Sequence, residues 1–436
     1  MRRPIWSFRH SPLQGAPSVL AGLLVWNVGN YAFFVIAGRS LGPESYATVA
    51  ALLAATMLVQ VPAGAVQVGM SRRVAELGTD RRAGSDALLM HSIPRCIAAG
   101  LALAAITFAV TWIVAPSLPK FAVVATSIAV APIPLFSLAL GALQGEHRFG
   151  GFSASVSMLG LPRPVALLLF LPLFADVTAA MAASAVTIVL AAAAATALAW
   201  PGRQGNRARP DAKASWVALR RTLAPLAIGL SGIAVLINLD VIVARASLPG
   251  RIAGLFGAVA ILAKAIVIIP QTAAWVLLPR IAQADAAGQP TNRFLVLGAG
   301  VSILGGTVAT TVALAFGRPI VTLVFGAEYA DGGQYLAPLI ATATLTGLLL
   351  LLMNHQLGRN VDSFVWVIAG LAFIEGLVFA VLHDSVTMIL TTEAILAVVG
   401  VVGYEVRYGR TDGGISRSIR AVAHGATRKS RQAPAT

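Results

Sequence analysis

Apolar stretches, each about as long as a hydrocarbon core is thick, alternate with short polar breaks along most of the chain. Twelve read as spans: 16–38, 45–70, 88–115, 121–145, 152–174, 177–200, 222–247, 252–279, 294–316, 333–355, 363–382 and 385–406. A spanning helix takes about 20 residues. Backbone groups in lipid must be satisfied internally, so uninterrupted apolar segments of this length are predicted to be helices. None carries more than two ionised residues near its centre. The basic N-terminus followed by an apolar run has the look of a signal peptide, but Ala16–Ala37 is too long for one and is expected to be the first span. Prolines 62, 132, 134, 162, 164, 225, 270 and 338 fall inside spans and are expected to kink them.

Composition agrees. Hydrophobic residues make up 57% and charged residues 11% of the 436, with a mean hydropathy of +0.82. Soluble domains run at about a quarter charged. The single cysteine, Cys96, rules out an intrachain disulfide framework and reads as a small buried apolar residue. The net charge of +15 invites a nucleic-acid reading, but the placement of the bases is that of a membrane protein, and no nucleic-acid partner is expected. With the N-terminus inside, 25 of the 32 Lys and Arg residues fall in cytoplasmic segments and five in outer loops, with Arg163 and Lys264 inside spans. Both termini are therefore expected in the cytoplasm of a multi-pass inner-membrane protein.

The longest polar break, GRQGNRARPDAKAS at 202–215, follows the sixth span. It divides the chain into expected six-helix lobes at 1–201 and 216–408, with a basic, disordered cytoplasmic tail over 409–436. The halves look duplicated: VIAGRSLGP with Arg39 answers VIVARASLP with Arg245, and Pro62/Arg72 answers Pro270/Arg280. A six-helix duplication preserves membrane orientation and relates the lobes by an axis along the membrane normal.

No phosphate-binding glycine loop, zinc spacing or nucleophile elbow is present, so neither catalytic residues nor a resident metal are expected. The informative groups are ionisable side chains inside spans, which are costly there and usually face a cavity or a partner. They are Arg163 between two prolines, Asp240, Lys264, Glu375 and Glu393. At about 1.5 Å per residue, the three acids lie roughly 10–12 Å from the outer face and are expected to cluster, with Lys264 in reach. Such a cluster is either a cation or proton site or a structural ion-pair network. Asn238 is about 200° from Asp240 on a regular helix and is not expected to share its site. Asn27 and Asn30, one turn apart in the first span, either bond between helices or line a polar cavity.

At this point the chain resembles a family. NVGNYAFFVIAGRSLGPESYATVAAL (27–52), LQGEHRFG (143–150), VLLPRIA (276–282) and VFGAEYADGGQYLAPL (324–339) are similar to the polysaccharide and lipid-linked oligosaccharide flippases of the MOP superfamily. That superfamily also holds the MATE multidrug antiporters and the lipid II flippases. The resemblance implies an all-α fold of two six-helix lobes forming a V around a central cavity, working by alternating access. It implies a coupling Na⁺ or H⁺ held by acids of the seventh and eleventh spans, where Asp240 and Glu375 stand, with Glu393 beside them. It implies basic cavity residues for a substrate pyrophosphate, for which Arg163 and Lys264 are the candidates, with Asn27 and Asn30 lining. The expected substrate is a polyprenyl-phosphate-linked oligosaccharide or glycolipid, with membrane lipids and envelope polysaccharide biosynthesis proteins as partners. The alternative is a cation-coupled multidrug antiporter. A polytopic glycosyltransferase fits poorly, because the outer loops are short and the first offers only Glu44.

Overall fold

The computed structural model describes residues 16–76, 81–114, 118–174, 176–200, 212–287, 289, 291–359, 361 and 363–408. Most of the 202–215 linker and the 409–436 tail lie outside the described residues. Those described are almost wholly helical, with no strand among them.

Helix α1 runs over Ala16–Glu76 and is two arms joined at Gly42, where φ is 70° and ψ 168°. Only glycine enters that backbone region without strain, and Pro43 fixes the start of the second arm. The later helices are α2 (Arg81–Val114), α3 (Lys120–Val130), α4 (Ile133–Gly145), α5 (Phe149–Gly160), α6 (Pro162–Phe174) and α7 (Val177–Ala199). They continue as α8 (Ala212–Ser247), α9 (Gly250–Lys264), α10 (Ile268–Ala286), α11 (Asn292–Phe325), α12 (Leu336–Gly358), α13 (Ser363–Phe379) and α14 (Val386–Tyr408). Among the described residues, ten helical stretches are long and apolar enough to cross a membrane. Counting both arms of α1 and adding the shorter α13 recovers the twelve expected spans.

The prolines divide by effect. Pro132 separates α3 from α4 and Pro162 separates α5 from α6, while Pro62 and Pro225 sit inside continuous α1 and α8. Pro270 cannot donate to the carbonyl of Ile266, and the chain between α9 and α10 tightens into a 3-10 turn over Ala265–Val267. Several boundaries differ from the sequence expectation: α2 begins at Arg81 and not at 88, α8 at Ala212 and not at 222, and α10 runs to Ala286 and not to 279. The ninth span does not stop at 316: it bends at Phe316 (φ −128°, ψ 16°) and continues to Phe325, because the apolar run past Pro319 resumes helix. A long 3-10 segment, Ala327–Tyr335, then leads into α12.

By packing, the chain forms two compact units: one of residues 1–37 and 63–224, the other of 38–62 and 225–436. In the first, alanine-rich α7 is the hub, packed against α3, α4, α5 and α6. Its small side chains let neighbouring backbones approach closely, the usual currency of association in lipid. In the second, leucine-rich α12 is the hub, packed against α9, α10, α11 and α14. Its run Leu348–Met353 is buried with Phe364, Ile368 and Leu371 of α13 and Tyr404 of α14. The 38–62 segment is tied into this unit at several points. Arg39 donates to the carbonyls of Val324 (2.9 Å) and Leu323 at the end of α11, Tyr329 donates to the Gly38 carbonyl (2.9 Å), and Arg245 donates to Thr48 Oγ1 (2.8 Å). Large apolar side chains such as Leu169, Leu314 and Val406 stand exposed, as expected of residues facing acyl chains.

Candidate functional site

Among the described residues, every ionisable residue singled out within the spans lies in one of two buried polar clusters, one in each unit.

The first is built on Arg163. Leu161, between α5 and α6, is a turn because Pro162 and Pro164 remove the donors that would continue the ladder. Arg163 thus stands in the first turn of α6, where a regular helix is already broken. The first arm of α1 lies against this break at backbone contact. A Cβ built on Gly29 would fall 2.3 Å from the Gly160 carbonyl oxygen, and one on Gly160 would fall 2.4 Å from that of Trp26. One turn-pair earlier Gly22 meets Ser153, whose hydroxyl donates to the Ser18 carbonyl at 2.7 Å. This contact delivers Asn30 to the guanidinium. Arg163 is buried, donates from Nη1 to Asn30 Oδ1, and donates from Nε (3.2 Å) and Nη2 (2.9 Å) to Ser184 Oγ on α7. Ser184 in turn donates its hydroxyl hydrogen bond to the Ala180 carbonyl. The guanidinium lies 4.2 Å from the centre of the Phe33 ring, within cation–π range.

Asn27 donates its amide to the Leu23 carbonyl of its own helix at 2.8 Å, and of the two asparagines Asn30 is the one that meets the arginine. Ser184 and Phe33 were missed in the sequence. A serine in an alanine-rich helix carries little signal, and Phe33 reads as one more lipid-facing or core aromatic.

The second cluster brings together Asp240 of α8, Lys264 at the end of α9, Glu375 of α13 and Glu393 of α14. Asp240 is fully buried, and the Lys264 ammonium donates to both its oxygens, at 2.8 and 2.9 Å. Glu393 is buried and lines the same cavity as Lys264. Glu375 is 1% exposed and neither of its carboxyl oxygens finds a hydrogen-bond partner among the described residues. It is within electrostatic reach of Asp240, Lys264 and Glu393. A cavity of about 10 Å³ opens beside Lys264 and Glu393, lined also by Thr342 and Thr346 of α12. That is room for about one water.

Lys264 is therefore placed with the acids and not as a free anion-binding cation: its charge is met by Asp240. Asn238 bonds to the Ala234 carbonyl of its own helix and stays out of the cluster, as the helical angle predicts. Three carboxyl groups against one ammonium leave a surplus of acid, and this arrangement can take up protons or a small cation.

Neither the family models nor the curated proteins contain a match to this chain. Solved structures do. An inward-facing multidrug resistance MATE family transporter of the MOP superfamily superposes with a TM-score of 0.72 at 14% identity, over 92% of this chain and 99% of that one. The lipid II flippase MurJ in an inward closed conformation gives 0.67 at 10% identity, over 97% and 94%. An outward-facing MATE transporter of the same superfamily gives 0.60 at 17% identity, over 94% and 98%. The chain thus shares the helical fold of these transporters.

Proposed function

We propose that this chain is a non-enzymatic, ion-coupled transporter that flips a phosphate-bearing, lipid-linked saccharide across the inner membrane by alternating access. The observation that supports it is a guanidinium buried at mid-span in the first unit, at a proline-broken turn, held by an asparagine and a serine and lying on a phenyl face. A planar fork matches phosphate oxygens two at a time. Neutral acceptors such as Asn30 and Ser184 can be exchanged for an anionic oxygen at modest cost. The acid cluster of the second unit supplies the coupling site, with Asp240, Glu375 and Glu393 as its carboxyl groups. The two lobes divide at the 202–215 linker, both termini face the cytoplasm, and the partners are membrane lipids and the enzymes that build the lipid-linked sugar.

The second reading is a multidrug antiporter, favoured by the fold likeness to MATE transporters. The two separate on the role of Arg163. In reconstituted vesicles carrying a fluorescent polyprenyl-diphosphate oligosaccharide, Arg163→Lys keeps the charge but loses the fork. It should lose about 1.5–3 kcal/mol of contact, or roughly 10- to 100-fold in rate. Arg163→Ala should not flip at all. Normal flipping by Arg163→Ala would remove this residue from the mechanism. Ethidium exchange by the same vesicles, insensitive to Arg163, would support the antiporter instead.

A further inference from the structure

We propose that the ion exchanged at the Asp240 cluster is a proton, and that Lys264 is a tethered cation occupying the place a metal ion would take. This rests on the coupling reading above and narrows it.

The geometry carries it in four steps. First, the face of Asp240 that would grip a metal ion through both oxygens is taken. Lys264 Nζ lies 2.8 and 2.9 Å from them. Its reach is set by the chain: Lys264 is the last residue of α9, and the 3-10 turn that follows it fixes where the side chain departs. Second, Glu393 is buried and lines the same cavity as Lys264, whose ammonium already faces Asp240; a proton neutralises Glu393 without a second cation. Third, Glu375 is buried with neither oxygen bonded among the described residues. It offers a seat for one proton, and the nearby ammonium makes it a poor seat for a second cation. Fourth, the cavity suits neither sodium nor calcium. Hard cations take oxygen ligands on several sides, whereas this cavity holds about one water and is walled mainly by Leu236, Ile237, Val267 and Leu339. Among the described residues, no three acidic, histidine or cysteine side chains converge closely enough to chelate a metal.

The charged and titratable groups facing one another here are Asp240 from α8, Lys264 from α9, Glu375 from α13 and Glu393 from α14. The stretch of α12 lining the cavity adds only threonines. In the loading step a hydronium ion gives its proton to a carboxylate oxygen of Glu375 or Glu393, leaving water and a carboxylic acid. In the release step that acid returns the proton to water. No bond other than O–H forms or breaks. Lys264 keeps its charge throughout and holds Asp240 as its counter-ion, so the cluster carries protons without ever presenting an empty metal seat.

The test uses the purified full chain in lipid nanodiscs. Equilibrium binding of ²²Na⁺ and the infrared carboxylic-acid C=O band across pH are measured in parallel. The wild type should bind no saturable ²²Na⁺. It should show a pH-dependent C=O band that shrinks in Glu375→Gln and in Glu393→Gln. Lys264→Met vacates the metal seat and should create saturable ²²Na⁺ binding that the wild type lacks. Lys264→Gln serves if the methionine variant does not purify. Saturable ²²Na⁺ binding to the wild type that Asp240→Asn abolishes would overturn the proton assignment and leave ion coupling standing. No sodium binding together with no pH-responsive carboxyl band would overturn both and make the cluster a structural ion-pair network. A lysine variant with no gain in sodium binding would overturn the tethered-cation role.

Discussion

Substituting Gly160 by alanine tests whether the Arg163 site depends on backbone contact between α1 and α5. The added Cβ would stand 2.4 Å from the Trp26 carbonyl oxygen and 2.5 Å from its Cα, where ordinary contact begins at 3.4 Å. Both neighbours are backbone, so neither can swing aside, and the helices must part by about 1 Å. Overpacking of this kind costs about 1–3 kcal/mol. Alanine returns up to about 1 kcal/mol through its better helix propensity, so the net loss is about 1–2 kcal/mol. Gly29→Ala meets the same obstacle from the other side, at 2.3 Å from the Gly160 carbonyl oxygen. Because both open one gap, the double variant should cost less than the sum of the singles. Gly370→Ala and Gly376→Ala, with nothing within 4 Å of the new methyl, are the controls and should melt at or above the wild type. Detergent-solubilised protein heated stepwise and read by fluorescence-detected gel filtration gives the order. A shift of about 1 Å at Gly29 also carries Asn30 away from Arg163, so flipping should fall further than stability alone explains. If Gly160→Ala melts with the Gly370→Ala control, the close packing does not position the site and the argument fails.

Two further outcomes follow from the second unit and from the charge pattern. Tyr404→Phe removes the acceptor of the Gln356 amide (2.8 Å) in a buried setting and should cost about 1–3 kcal/mol in the same melting assay; an unchanged melt would mean the amide finds another acceptor. Cysteine placed by Ser117→Cys should label from outside intact cells and by Ser215→Cys only after permeabilisation, with little background because Cys96 is buried; outside labelling at 215 would invert the topology.

What the sequence discloses and what it hides divide along a physical line. Asp240, Glu375 and Glu393 could be placed at one depth because rise per residue in a spanning helix is fixed, and depth is most of what a cluster of intramembrane acids requires. That Lys264 pairs with Asp240 follows from the same reckoning, since no other intramembrane base stands near that level in the second half. The resemblance carried the fold, and the long apolar runs carried nearly every helix. The exceptions lie at helix ends, among them the early start of α8 at Ala212 and the continuation of α11 past Phe316 through Gly317, Arg318 and Pro319. The chain tolerates them as a bend because Gly317 lies against the Gly333 carbonyl, 2.5 Å from where a Cβ would be.

Azimuth is harder than depth. Asn27 and Asn30 are equally deep to within one turn, yet Asn27 turns to its own helix while Asn30 meets Arg163. The choice is made by Gly29 and Gly160, two residues without side chains, whose signal is the absence of bulk. The same holds for Arg39 and Arg245, which the repeat pairs by register. Arg39 caps the carbonyl end of α11 and Arg245 binds a threonine hydroxyl. A shared register preserves where along the membrane normal a residue lies and leaves its partner to local packing. A motif carried by depth, such as the acid cluster, therefore survives translation from sequence to structure. One carried by a facing partner, such as Ser184 beneath Arg163, must be found in three dimensions.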